Sequence, residues 1–293
     1  MRIIVLGAMG EVGSSVSSAL LAQGHEVVPV SARAPLGSEP GVLSFPEAMA
    51  VISRGEADLV LNCSGRGDRR ASGRSGVDAT DYLAEAIAAS GIPGVLLSTT
   101  RVLEGYSEDY SESSEPQATT PYALANAENE ARWLAHGALR MHVLRITNYF
   151  CAPQTVESPQ AQLLPWSLAT EALEKGSIGI RSGASLTKEF VSAADVARAA
   201  TMIGGDSSAP LVGATVPGAP LSLRALAEAC VTALERVGRG GVDVTFGLDQ
   251  PPGASCLPGW LASIGWRGEL TANLITDEVT AWLLREGMGA SRA

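Results

Sequence analysis

Along the first 150 residues, short apolar runs alternate with stretches whose apolar positions recur at helical spacing. Ile3–Leu6, Glu26–Val30, Asp58–Asn62, Val95–Ser98 and Met141–Ile146 read as strands. Between them, Glu11–Gln23 sets Val12, Val16, Ala19 and Leu20 on one helical face. Pro46–Ser53, Thr80–Ser90 and a longer stretch from about Tyr122 to His136 continue that pattern. Strands that alternate with helices and are apolar on both faces predict a doubly wound parallel sheet of the α/β class. Past residue 150 the strict alternation stops. Pro153, Pro159 and Pro165 punctuate the chain, and helical spacing returns over Leu168–Lys175, Asp195–Ile203, Leu223–Val237 and Thr276–Arg285. The pattern predicts a sheet domain over 1–150 with a returning segment near 188–216, and a smaller mixed α/β region over 151–293.

Composition narrows the partners. An apolar fraction of 46% against 18% charged describes a chain that can bury a core, which excludes wholesale disorder. The net charge of −10 argues against nucleic acid, whose phosphates need a basic face. Cys63, Cys151, Cys230 and Cys256 lie far apart, and with His25, His136 and His142 they make no metal-spaced cluster, so no metal is expected. The first apolar run ends at Gly7, too short for the core of a signal peptide, and no run approaches the roughly 18 residues of a membrane span. Reduced thiols in a cytoplasm, away from any membrane, are the expectation.

Gly7-Ala8-Met9-Gly10-Glu11-Val12-Gly13 stands between the first strand and the first helix. In this context the first glycine permits a tight turn and the second a close approach of backbone to a pyrophosphate. The third permits close packing of helix on strand, and the helix N-terminus offers free N–H groups to an anion. The stretch therefore predicts a dinucleotide site. At the end of the second strand Ser31 replaces the carboxylate usual for NAD, and Arg33 is placed to pair with a 2′-phosphate, which together predict NADP, with NAD as the alternative. A solvated loop charge is the other reading of Arg33. Two loops follow strands at the ligand end of such a sheet. Residues 66–76 carry Arg66, Arg69, Arg70 and Arg74 among glycines, and suit an anionic small molecule. Residues 104–115 hold Glu104, Glu108, Asp109, Glu112 and Glu115. Both are also readable as solvated surface.

The G-x-x-G-x-x-G spacing resembles short-chain dehydrogenase/reductases of the extended type, and further matches follow in order. Asn62-Cys63-Ser64-Gly65 resembles the run that lines the cofactor, and Ser98-Thr99-Thr100-Arg101-Val102 the segment with the catalytic hydroxyl. Pro121-Tyr122 with Glu130 is similar to the Tyr-x-x-x-Lys-x-x-x-Glu helix, and Arg145-Ile146-Thr147-Asn148 to the strand end that meets nicotinamide and substrate. Lys188-Glu189-Phe190-Val191 with Asp195-Val196-Ala197 resembles a stretch of nucleotide-sugar epimerases, and Trp282 extends the likeness toward the end of the chain. Length and the spacing from Glu112 to Tyr122 look most like dTDP-dehydrorhamnose reductases within the NAD-dependent epimerase/dehydratase family.

The resemblance implies a Rossmann domain and an oxidoreductase site. Tyr122, Thr99 and Asn126 would form the catalytic set. Gly7, Met9, Gly10, Glu11, Val12, Gly13, Ser31, Arg33, Cys63, Ser64, Gly65, Tyr122 and Asn126 would hold the cofactor. Thr100, Asn148, Arg66 and Arg69 would meet the substrate. It also exposes a departure: Asn126 stands where the family has its catalytic lysine, and an asparagine can bond ribose hydroxyls but brings no charge. An ordinary phenol, with pKa near 10, is ionised in about one molecule in a thousand at neutral pH. Losing the lysine therefore harms chemistry that begins with oxidation more than it harms reduction, where the tyrosine acts as a neutral acid. The expectation is an NADP-dependent reductase of a carbonyl on a nucleotide-linked sugar or similar polar metabolite. A sugar-nucleotide epimerase or dehydratase is one alternative, and a dinucleotide-binding protein without turnover is another. A homodimer remains open. On residues alone, Thr99 also reads as a strand-end cap, Tyr122 as an aromatic at a helix start, and Asn148 as a turn former.

Overall fold

The computed structural model describes residues 1–31, 41–64, 77–136, 140–211, 214–216, 219–249 and 254–288. In chain order, β1 (Arg2–Leu6), α1 (Glu11–Ala22), β2 (Glu26–Val30), α2 (Phe45–Ser53), β3 (Leu59–Asn62) and α3 (Val77–Ser90) are followed by β4 (Gly94–Thr99), α4 (Pro121–Ala135) and β5 (Met141–Ile146). Next come β6 (Asn148–Phe150), α5 (Leu164–Lys175), β7 (Ser177–Ile180), β8 (Thr187–Ser192) and α6 (Ala193–Gly205). The remaining elements are β9 (Ala214–Val216), β10 (Ala219–Ser222), α7 (Leu223–Arg236), β11 (Asp243–Phe246), α8 (Trp260–Ser263) and α9 (Ala272–Arg285).

The chain divides into two compact units. The first comprises 1–147, 193–217 and 254–267, and the second 148–192, 218–253 and 268–293. In the first unit a six-stranded sheet runs in the order β2-β1-β3-β4-β5-β9, with every pairing parallel. Ile3, Ile4, Val5, Leu59, Val60 and Leu61 are fully buried, as strands covered on both faces must be. The strand order reverses at β1, which lies between β2 and β3; open α/β sheets take their ligands at such a switch, beyond the carboxyl ends of the strands. The second unit holds a three-stranded sheet, β10-β8-β6, and a two-stranded parallel sheet, β11-β7. Its core is aromatic at the centre: Phe150 stacks on Trp166 at 5.0 Å between ring centroids, and Trp166 meets Trp282 edge-on at 5.4 Å.

Within the first unit the chain returns twice. The return over 193–217 brings α6 and β9 to the sheet, and that over 254–267 brings α8. The sequence pattern foresees no second return, because α8 is a single turn without amphipathic spacing.

Candidate active site

The glycine turn follows β1 directly. Gly7 adopts φ +74°, and a Cβ there would lie 2.9 Å from the Ser64 nitrogen, so turn and β3 end are in backbone contact. Gly7 and Ala8 donate their N–H groups to the Val30 carbonyl at 3.0 and 3.2 Å, and Gly10 N–H donates to the Gly7 carbonyl at 2.9 Å. Gly10 then caps α1, and no side chain fills the cap. Gly13 is the most constrained, since a Cβ would fall 2.1 Å from the Gly7 oxygen. Met9 is exposed on the turn, while Glu11 and Val12 open the helix half-buried.

At the neighbouring strand end Asn62 is fully buried. Its Oδ1 accepts from Ser64 N–H at 2.9 Å and from the Ser64 hydroxyl, while Nδ2 has no partner among the described residues. Cys63 N–H donates to the Leu6 carbonyl at 3.0 Å, and burial pushes its thiol up to about 12, so it stays neutral and inert. Ser31 follows β2 directly, with its N–H on the Leu43 carbonyl at 3.0 Å. Arg33, Gly65, Arg66 and Arg69 lie outside the described residues. A bare turn, an uncapped helix start and an unpartnered buried amide beside it fit a dinucleotide.

β4 ends at Thr99, which is buried and paired in register with Ile146 of β5. Its Oγ1 accepts from Arg101 N–H at 3.2 Å, so the side chain caps the single 3-10 turn Thr100–Leu103, and its hydroxyl proton stays available for donation. α4 packs against that turn. Thr120 caps α4 by accepting from Ala123 N–H at 3.3 Å, and Pro121 occupies the first helical position, where a missing N–H costs nothing. Tyr122 therefore sits in the first turn, half-buried. Asn126, one turn later, donates its Nδ2 to the Tyr122 carbonyl at 2.8 Å. Thr99, Thr100, Tyr122 and Asn126 are thus carried on two packed segments of one unit. Asn148 belongs to the second unit, where its Nδ2 donates to the Glu189 carbonyl at 2.7 Å.

Beneath these segments runs a buried ionic network for which sequence reasoning supplies motif letters but no role. Arg145 and Glu130 are 1% and 2% exposed. The guanidinium donates Nε and Nη2 to the carboxylate, with Nη2 at 2.7 Å, and Nη1 to the Glu112 and Ser114 carbonyls at 3.1 and 3.2 Å. Ser98 adds its hydroxyl to Glu130. A buried arginine needs a carboxylate, and that need is the one signal a sequence carries for this pair.

The acidic segment 104–115 keeps Glu108, Asp109 and Glu115 exposed, as the solvated reading expects, but it is also tied down. Tyr110 pairs with Cys256, Asp109 accepts from Ser255 N–H at 2.8 Å, and Glu112 accepts from Trp260 N–H at 2.9 Å. Among the described residues no helix is long and apolar enough to cross a membrane, and no group of three or more His, Cys, Asp or Glu side chains could hold a metal ion.

A parallel sheet with a glycine turn at its switch point, a threonine at the end of β4 and a tyrosine in the first turn of α4 fit a dinucleotide-dependent enzyme. The model of the NAD dependent epimerase/dehydratase family matches residues 3–210, and the chain belongs to that family. It is 28% identical over 247 residues, covering 78% of this chain and 77% of the other, to dTDP-6-deoxy-L-talose 4-dehydrogenase (NAD(P)(+)) of Kitasatospora kifunensis. Its fold is similar to dTDP-glucose 4,6-dehydratase of Bacillus anthracis in complex with NAD, with TM-score 0.69, 16% identity and 98% of each chain covered. It is likewise similar to UDP-glucuronic acid 4-epimerase of Bacillus cereus in complex with UDP-glucuronic acid and NAD, with TM-score 0.67, 17% identity, and 97% and 99% covered.

These structures correct the expectation of NADP. The solved relatives contain NAD, and Arg33, on which a phosphate contact depended, lies outside the described residues. Loss of an acidic residue at the end of β2 is not itself a phosphate site, because a serine hydroxyl can bond a ribose hydroxyl just as well.

Proposed function

We propose that this chain is an NAD-dependent enzyme acting on the sugar of a nucleotide-linked sugar, of the epimerase or dehydratase type. The observation that carries the reading is the pairing of the Gly7–Gly13 turn with the Thr99 and Tyr122 segments in one unit. Relatives named for dTDP- and UDP-sugars support the substrate class. Gly7, Gly10 and Gly13 would admit the pyrophosphate to the start of α1, and Asn62 Nδ2 is a donor for the same cofactor. When bound, NAD supplies a reversible hydride acceptor. The Tyr122 side chain would take the proton of the reacting sugar hydroxyl as a phenolate and return it as a phenol, while the Thr99 hydroxyl donates to that same oxygen and holds it in place.

Asn126 favours a second reading, a reductase in which Tyr122 acts as a neutral acid. Its amide is turned to the helix backbone and carries no charge to favour a phenolate. Incubating the protein with a panel of UDP- and dTDP-hexoses plus NAD, and with their keto forms plus NADH, separates the two. The first reading expects a new sugar nucleotide by NMR, with no net NADH. Stoichiometric NADH formation or consumption would move the assignment to a dehydrogenase or reductase. NAD binding without conversion of any sugar nucleotide would overturn both.

A further inference from the structure

Glu104 lies in the acidic segment, yet its side chain is only 14% exposed and its carboxylate is fully engaged. Oε1 accepts from Thr119 N–H at 3.3 Å, from the Thr119 hydroxyl at 2.8 Å and from Thr120 N–H at 2.8 Å. Oε2 pairs with Arg101 Nη2 at 2.6 Å. These partners belong to two different segments. Arg101 lies in the 3-10 turn that Thr99 caps, and Thr119 and Thr120 form the entry to α4, two residues before Tyr122. The backbone repeats the link on either side, with Gly105 N–H on the Gln117 carbonyl at 2.9 Å and Gln117 N–H on the Val102 carbonyl at 2.8 Å. A Cβ on Gly105 would lie 2.6 Å from that Gln117 oxygen, so the two backbone segments are in contact.

From this geometry we infer that Glu104 is a positioning residue that sets the spacing between the Thr99 and Tyr122 hydroxyls. The inference rests on the function proposed above for those two side chains. One carboxylate bridges the end of β4 to the start of α4, which are 20 or so residues apart along the chain. Without it, the entry of α4 loses the acceptor of two N–H groups and Arg101 in the turn loses its carboxylate partner. Catalytic groups must be held closely, because a displacement near 1 Å can cost about 100-fold in rate.

The test compares Glu104→Ala and Glu104→Gln with Glu108→Ala, an exposed neighbour in the same segment, as control. Glu104→Ala should lower kcat on the sugar nucleotide by about 10- to 100-fold. KM and the Kd for NAD should stay within about threefold. Glu104→Gln keeps an oxygen for Thr119 and Thr120 and should recover most of kcat, and Glu108→Ala should match the wild type. An unchanged kcat in Glu104→Ala, or a parallel loss of kcat, KM and NAD affinity, would overturn the positioning role. A second arm needs no substrate. With 3-fluorotyrosine incorporated, the Tyr122 fluorine resonance, assigned through Tyr122→Phe, should broaden or split in Glu104→Ala while that of Tyr82 on α3 stays fixed. An unmoved Tyr122 resonance overturns the inference even if the wild type converts no sugar nucleotide. A moved one alongside an inert wild type would fault the proposed function alone.

Discussion

Gly13 and Asn126 show how differently single residues announce themselves. Gly13 is legible in the sequence because its constraint is steric and local: any side chain would meet the Gly7 oxygen at 2.1 Å. Gly13→Ala forces the start of α1 away from the turn. Overpacking costs typically about 1–3 kcal/mol, and here the obstructing atom is backbone, which cannot rotate away. A lowered melting temperature and loss of NAD binding by calorimetric titration are expected; a variant with the wild-type Kd would show that the turn does not shape the cofactor site. Asn126 is legible as a residue type, but its donation to the Tyr122 carbonyl is not, because a rotamer decides it. Asn126→Lys puts an ammonium on the face of α4 that carries Tyr122 and favours the phenolate. The rate of sugar oxidation at neutral pH should rise, and the pH at which that rate is half-maximal should fall. A wild-type oxidation profile that already titrates near pH 7 would mean another group supplies the charge.

At the scale of elements, α4 is held at its entry and again along its buried face. Glu104 binds its entry, and Glu130, two turns past Tyr122, is locked to Arg145 of β5 and Ser98 of β4. Removing one member of a buried ion pair leaves the other uncompensated, a loss of about 3–5 kcal/mol. Glu130→Ala should therefore lower the urea midpoint strongly. Glu130→Leu combined with Arg145→Met should be the more stable of the two variants, since it buries no lone charge. If the double replacement unfolds as early as Glu130→Ala, packing rather than charge holds this joint. The strands and helices of the first 150 residues could be read from periodicity because each is amphipathic or wholly apolar over several residues. The partners of the acidic segment could not. Asp109 and Glu112 bind Ser255 and Trp260, which lie almost 150 residues away, and no local pattern encodes that pairing. The second unit was hard to read for a related reason: β6, β7, β8, β10 and β11 span three to six residues each, in sheets of mixed or two-stranded form.

For the molecule as a whole, the titratable groups shifted by folding predict how stability depends on pH. His142 is 2% exposed on β5, with Nδ1 2.9 Å from the Pro210 carbonyl. Burial holds its pKa below the ordinary 6.5, assisted by Arg140 and opposed by the Pro210 bond. His25 is lowered in the same direction, by burial and by the N-terminal amine. In the unfolded chain both imidazoles take up a proton near pH 6.5, while the folded chain resists it; stability is complete above that pH and declines as pH falls through it. Glu104 acts lower on the scale. Burial works against its ionised form, but the bonds from Thr119 and Thr120 and the charge of Arg101 outweigh it and bring its pKa down from 4.5 to about 2. Its contribution is present above pH 4.5 and is lost as pH falls toward 2. Unfolding free energies from urea titrations across pH 3–8 should therefore fall in two stages on acidification. His142→Gln, whose amide can still donate to Pro210, should flatten the first stage and leave the second intact. Glu104→Gln should do the reverse. A first stage that keeps its full slope in His142→Gln would assign the proton uptake to His25, which makes the N-terminal end of the sheet, rather than the centre of the fold, the point where acid begins to loosen the protein.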